Sequence, residues 1–205
     1  MPKTLFLNGT LVDPSQGLHN RLDLLVDGEG RIAEVAPDLS RRDAARRVDA
    51  KGLVIAPGFV DLHTHLREPG GEGQETIATG TRSAAAGGFT TVFCMPNTKP
   101  VCDSETGVHY IMSRAKSDGV VNVVPIAAIT KGQQGEELTN FARLKAVGAG
   151  AFSDDGHPVM NAEMMRRALE YSRMLGVPIM EHCEDMNLTG EGVMHEGAVS
   201  IRLGL

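Results

Sequence analysis

His63 and His65 stand two residues apart, with Thr64 between them, at the end of an apolar run, Leu53 to Val60. Successive side chains of a strand point to opposite faces, so the two imidazoles face the same way. A pair so placed can chelate one divalent cation, and imidazole suits zinc. Two buried histidines hydrogen-bonded to backbone would have the same spacing. The other strand ends decide between these readings.

The elements that must position the pair follow from the hydrophobic rhythm. From residue 53 on, apolar runs at 53–62, 90–95, 121–129, 150–153 and 177–181 read as strands. Helical patterns fill 75–87, 103–117, 136–147 and 161–175 between them. Met164, Met165, Ala168, Leu169 and Ser172 share one side of the last helix, a stripe that reads as core packing rather than a cofactor box. Apolar strands alternating with helices predict a parallel sheet covered on both faces. Periodicity leaves open whether the sheet is doubly wound or part of a (β/α)8 barrel. Residues 4 to 55 read differently, as short strands and turns: Thr4–Leu7, a turn at Asn8-Gly9, Thr10–Val12, and a hairpin of 22–26 with 31–35 turning at Asp27-Gly28. Arg41 to Arg47 reads as a solvated connector.

In parallel sheets and barrels, functional groups gather at the carboxyl ends of the strands. The first strand there offers His63, His65 and Arg67; the second, Met95-Pro96-Asn97-Thr98. The fourth ends in Ser153-Asp154-Asp155-Gly156-His157 and the fifth in Glu181-His182-Cys183-Glu184-Asp185. Two histidines, a carboxylate and a third histidine at neighbouring ends predict a mononuclear or dinuclear zinc site, where the pKa of a bound water falls toward neutrality. Arg67 can face the same pocket and clamp a substrate carboxylate bidentately, with Asn97 as a further donor. His19, His109 and His195 read as surface residues. Gly70-Gly71-Glu72-Gly73 lacks the spacing of a phosphate loop and reads as a flexible loop beside the site.

Composition narrows the function classes. Asp and Glu outnumber Lys and Arg by 26 to 20 and no basic block stands out, which argues against a nucleic-acid binder. No apolar run is long enough to span a bilayer and no export signal opens the chain, so no membrane role is expected. Three cysteines, Cys94, Cys102 and Cys183, have no regular spacing and predict free thiols in a reducing cytoplasm.

Ile55-Ala56-Pro57-Gly58-Phe59-Val60-Asp61-Leu62-His63-Thr64-His65 resembles the opening signature of the cyclic amidohydrolase superfamily. Leu66-Arg67-Glu68-Pro69-Gly70, Met95-Pro96-Asn97-Thr98 and Phe152-Ser153-Asp154-Asp155-Gly156 narrow the resemblance to the type I bacterial dihydroorotases. It implies a (β/α)8 barrel of the metal-dependent hydrolase superfamily beside a small β-sandwich. Residues 1–55 would be the N-terminal part of the sandwich and 56–205 about the first five β/α units. The implied reaction is the zinc-dependent interconversion of N-carbamoyl-L-aspartate and L-dihydroorotate in pyrimidine synthesis. By position, the resemblance makes His63, His65, Asp155 and His182 ligands of one or two Zn2+ ions, and Arg67 and Asn97 the grip on the substrate carboxylate. Related hydantoinases and many allantoinases carry a carboxylated lysine as the bridging ligand; Asp155 at that position favours dihydroorotase.

Barrel-plus-sandwich members run to about twice this length. The family's later histidine ligand, its acid/base aspartate and the last sandwich strands have no counterpart here, so no catalytic residue is expected within the chain. The expectation is a fragment with little or no turnover alone, from a full-length protein that is a cytoplasmic homo-oligomer. Other readings are a non-catalytic structural partner of aspartate transcarbamoylase and an enzyme for another cyclic ureide.

Overall fold

The computed structural model describes residues 1–205, which form two compact units, Met1–Gly58 and Phe59–Leu205. In the first, β1 (Thr4–Asp13), β2 (Leu18–Val26), β3 (Ile32–Ala36) and β4 (Arg46–Asp49) form a sheet in the order β3-β2-β1-β4. A fifth strand, β5 (Val54–Ile55), runs parallel to the far end of β1. Leu5, Leu25 and Leu39 are its buried centre. The hairpin over Asp27 forms as its turn residues imply, the Asp27 carboxylate accepting from the amides of Glu29 and Arg31.

Two readings of this unit need correction. Asn8-Gly9 is a bulge inside one continuous β1 rather than a turn, its register slipping between Phe6 and Gly9. Asn8 adopts a left-handed φ of 64° and gives its amide to Asp23, a conformation asparagine tolerates better than most residues. The 41–47 connector ends in a strand, because Arg46 to Asp49 pair in parallel with Thr4 to Leu7 of β1. Ladder bonds use backbone, so three of the four side chains can stay in water.

The second unit alternates strand and helix. It comprises β6 (Phe59–Thr64), α1 (Ile77–Ala86), β7 (Phe89–Cys94), α2 (Glu105–Asp118), β8 (Asn122–Ala127), α3 (Phe141–Ala146), β9 (Ala151–Phe152) and α4 (Ala162–Leu175). Short helices α5 (Met186–Thr189) and α6 (Ala198–Leu203) follow. The strands lie parallel in the order β6-β7-β8-β9, part of a (β/α) barrel. Each longer helix starts on a side chain that accepts an otherwise unpaired amide: Thr76 for α1, Ser104 for α2 and Asn161 for α4.

The apolar run from Leu53 belongs to both units. Pro57-Gly58 separates β5 in one sheet from β6 in the other. As an edge strand, β6 is not buried on both faces: Phe59, Val60 and Leu62 are each more than half exposed. The expected fifth strand shrinks to one parallel bridge, Phe152 to Ile179. Ala168 and Ser172 of the α4 stripe are buried, and Met164 and Met165 pack on the core, but Leu169 faces solvent.

Cys94 and Cys102 are buried and Cys183 is exposed, all as free thiols. Burial pushes both inner thiols up to about 12, and for Cys102 the neighbouring Cys94 and Asp103 add to it. Thiolate is the reactive form. A disulfide reagent at neutral pH should therefore consume one thiol per folded chain rapidly and all three only after unfolding. Rapid reaction of a second thiol in folded protein would contradict this burial.

Candidate metal centre

Strand alternation carries His63 and His65 to one side of β6 and its continuation. Asp155 reaches them from the segment after β9. Its backbone is fixed by two side chains: Ser153 Oγ accepts its amide at 3.0 Å, and Gln133 Nε2 donates to its carbonyl at 3.2 Å. The Asp155 carboxylate lies 3.2 Å from His63 Nε2 through Oδ1 and 3.6 Å from His65 Nε2 through Oδ2. One donor atom from each residue falls within 4.8 Å of the other two. His182 is brought to the rim, its Nδ1 3.7 Å from Asp155 Oδ1 and its Nε2 3.2 Å from the Glu184 carboxylate.

Asn97 bridges two members of this group. Its Nδ2 donates to Asp155 Oδ2 and its Oδ1 faces His65 Nδ1, both at 3.1 Å. An ionised carboxylate only accepts, so the Asn97 amide nitrogen must face Asp155 and its oxygen must face the imidazole. His65 Nδ1 then donates to Asn97 Oδ1, and Nε2 is the ring nitrogen on the Asp155 side. That is the tautomer a metal-ligating histidine needs, with an outer partner on its second nitrogen. Two imidazole nitrogens and a carboxylate oxygen fit a borderline cation such as zinc.

Arg67 takes no part in this cluster. With Asn97, Gln74 and Lys99 it lines a separate cavity of about 180 Å³. A larger cavity, about 700 Å³, lies between residues 136–142 and α4 and contains none of the candidate ligands.

Sequence reasoning overlooked three contributions: the Asn97 bridge, the Gln133 contact and the pairing of Glu184 with His182. Only Glu184 had a local signal, two residues from His182. Asp154 turns away from the cluster and is buried, accepting from the Thr130 amide at 3.0 Å and from the Thr130 hydroxyl. Burial raises its pKa against those two hydrogen bonds. Glu181 accepts the Val159 amide at 2.8 Å, so it supports the loop before α4 and does not join the donors. His19, His109 and His195 are exposed, as read.

The Dihydro-orotase-like family model matches residues 52–205. The chain is 55% identical over 198 residues to the dihydroorotase of Solibacter usitatus, covering 97% of this chain and 46% of that protein. It is 52% identical over 201 residues to the dihydroorotase of Citrifermentans bemidjiense, covering 98% and 47%. The chain thus spans about half the length of these relatives. Among solved structures, the L-hydantoinase of Arthrobacter aurescens superposes with a TM-score of 0.74 at 21% identity, covering 87% of this chain and 40% of that one. That likeness carries the fold, part of a (β/α) barrel. With the family model taking in β6 and everything after it, the chain belongs to the dihydroorotase-like family.

Proposed function

We propose that this chain supplies the zinc-ligating part of a dihydroorotase, which interconverts N-carbamoyl-L-aspartate and L-dihydroorotate in pyrimidine synthesis. The observation that carries the proposal is the convergence of His63, His65 and Asp155 donors within 4.8 Å, in a chain half identical to dihydroorotases. His63, His65, Asp155 and His182 are the proposed ligands. When bound, zinc supplies Lewis-acid polarisation of the ring carbonyl and lowers the pKa of water at the site.

The chain's own residues hold that site in place. Asp155 presents an oxygen to each histidine of the β6 pair, and Asn97 fixes the His65 tautomer. Glu184 orients His182. Arg67 offers a guanidinium to the substrate carboxylate, whose planar oxygens match its paired donors. Asn97 serves that grip from the shared cavity. Residues 1–55, within the first compact unit, are the proposed N-terminal part of a β-sandwich.

Zinc titration by calorimetry, with metal analysis of the purified protein, tests the centre. At least one equivalent should bind, and a protein that excludes zinc overturns the metal assignment. Turnover of L-dihydroorotate, hydantoin and allantoin, measured side by side on the protein containing this chain, tests the substrate. L-Dihydroorotate should be strongly preferred; turnover confined to hydantoin or allantoin would reassign the reaction.

A further inference from the structure

Glu68 is a buried carboxylate outside the metal centre that accepts from three residues on two helices, and the proposed reaction does not use it. Its side chain is 3% exposed. Oε2 accepts the amide of Ile77, the first residue of α1, at 2.9 Å. Oε1 accepts from Arg114 Nε at 2.7 Å and from the Tyr110 hydroxyl at 3.3 Å. Tyr110 and Arg114 are four apart on α2, hence on one face of that helix. Burial by itself would raise the Glu68 pKa, but the Ile77 amide, Arg114 and Tyr110 together hold it below the ordinary value. The group is therefore an anion tying two helices to the loop that carries Arg67.

That loop needs tying. Arg67 has φ of +57°, a left-handed conformation that is unfavourable for a residue with a Cβ. Such backbone persists only where its surroundings over-determine it. Arg67 O accepts the Gly71 amide at 2.7 Å, and Pro69 O accepts the Lys99 amide at 2.9 Å, two residues beyond Asn97. Gly70, at φ of +90°, brings the two loops so close that a Cβ there would overlap Lys99 O. Arg67 lines the cavity shared with Asn97, while its neighbour Glu68 is buried against α1 and α2.

We infer that Glu68 is a positioning residue: its clasp on Ile77, Tyr110 and Arg114 holds Arg67 in the left-handed conformation in which it lines the cavity it shares with Asn97. A buried ion pair is a poor source of net stability, since an apolar pair of similar volume often does as well. Its gain here is the fixed path of residues 67–71. The effect on substrate binding rests on the proposed dihydroorotase reading; the clasp itself does not.

Two variants test it. Glu68→Gln is nearly isosteric but places an amide NH2 against one of the donors. Arg114→Met removes the partner on α2, at a side chain 43% exposed that lies outside the cavity lining. The first readout is hydrogen exchange of the Gly71 amide, which is bonded to Arg67 O and not to Glu68. Both variants should speed it at least about tenfold, a loss of ~1.4 kcal/mol of protection, with β7 and β8 amides unchanged. Arg114→Lys, which keeps a charged donor, should restore most of the protection. The second readout is the dissociation constant for L-dihydroorotate, expected to rise roughly tenfold at constant zinc content.

Unchanged Gly71 exchange in Glu68→Gln with an intact core overturns the inference; if that variant does not fold, Arg114→Met decides by the same measure. Faster exchange with unchanged ligand affinity overturns the link to Arg67. If the parent protein binds no dihydroorotate, the functional reading fails, and the exchange experiment still judges the clasp.

Discussion

Asp155→Asn should lower zinc affinity by roughly two orders of magnitude or more while leaving the fold intact. A structural zinc releases about 10–16 kcal/mol shared over about four ligands, so loss of one anionic ligand removes a few kcal/mol. Asp155 carries the only carboxylate within 4 Å of ring nitrogens from all three histidines His63, His65 and His182. An asparagine oxygen can still accept from Asn97, and the backbone contacts from Gln133 and to Ser153 do not involve the carboxylate. Unfolding therefore does not mask the result. Calorimetric titration of Asp155→Asn beside His109→Ala, an exposed histidine of α2, separates ligand from bystander. Parental affinity in Asp155→Asn would remove Asp155 from the ligand set.

The parts of this arrangement legible in the sequence are those written in local pattern. Alternation along β6 and its continuation places His63 and His65 on one side, and the helical periods locate α1, α2 and α4 within two residues of their ends. The rule that strand ends carry function collected Asp155 and His182 beside them. What local pattern could not carry is partnership. Nothing around Arg46 to Asp49 looks like a strand, because the partner is the backbone of β1, forty-two residues away along the chain at Thr4↔Arg46. By periodicity the apolar run from Leu53 reads as one strand, and only the resemblance put a domain boundary inside it; Pro57-Gly58 divides it between two sheets.

The same limit explains the polar network. Asn97 reads equally as a turn residue or a substrate donor; its bridge to His65 and Asp155 spans 32 and 58 residues. Glu68 in Arg-Glu-Pro-Gly reads as a loop charge until its partners at 77, 110 and 114 are seen around it. Burial of a charge is the physical clue in both structure and energetics, and it is invisible to periodicity. A carboxylate removed from water must find donors, and only the fold says which.

Phe152→Ala should be among the most destabilising substitutions in the second unit, by about 3–5 kcal/mol. Phe152 is fully buried and its ring stacks on Phe141 of α3, with centroids 3.9 Å apart and planes 5° from parallel. It also makes the bridge to Ile179 and, in the two-residue β9, pairs with Ala127 of β8. Truncation leaves a ring-sized void and removes an aromatic pair that contributes about 0.5–1.5 kcal/mol beyond its area. At about 2–4 °C per kcal/mol for a domain of this size, the melting temperature should fall by roughly 10 °C. Phe59→Ala is the internal contrast: that ring is 60% exposed on the edge strand, and its loss should shift melting by a small fraction of that amount. Because Phe152 immediately precedes Ser153-Asp154-Asp155, its loss should also loosen the carboxylate, yet weaken zinc less than Asp155→Asn does. Equal melting shifts for the two phenylalanine variants would mean that the stack does not hold β9, and with it the placement of Asp155 against the histidines.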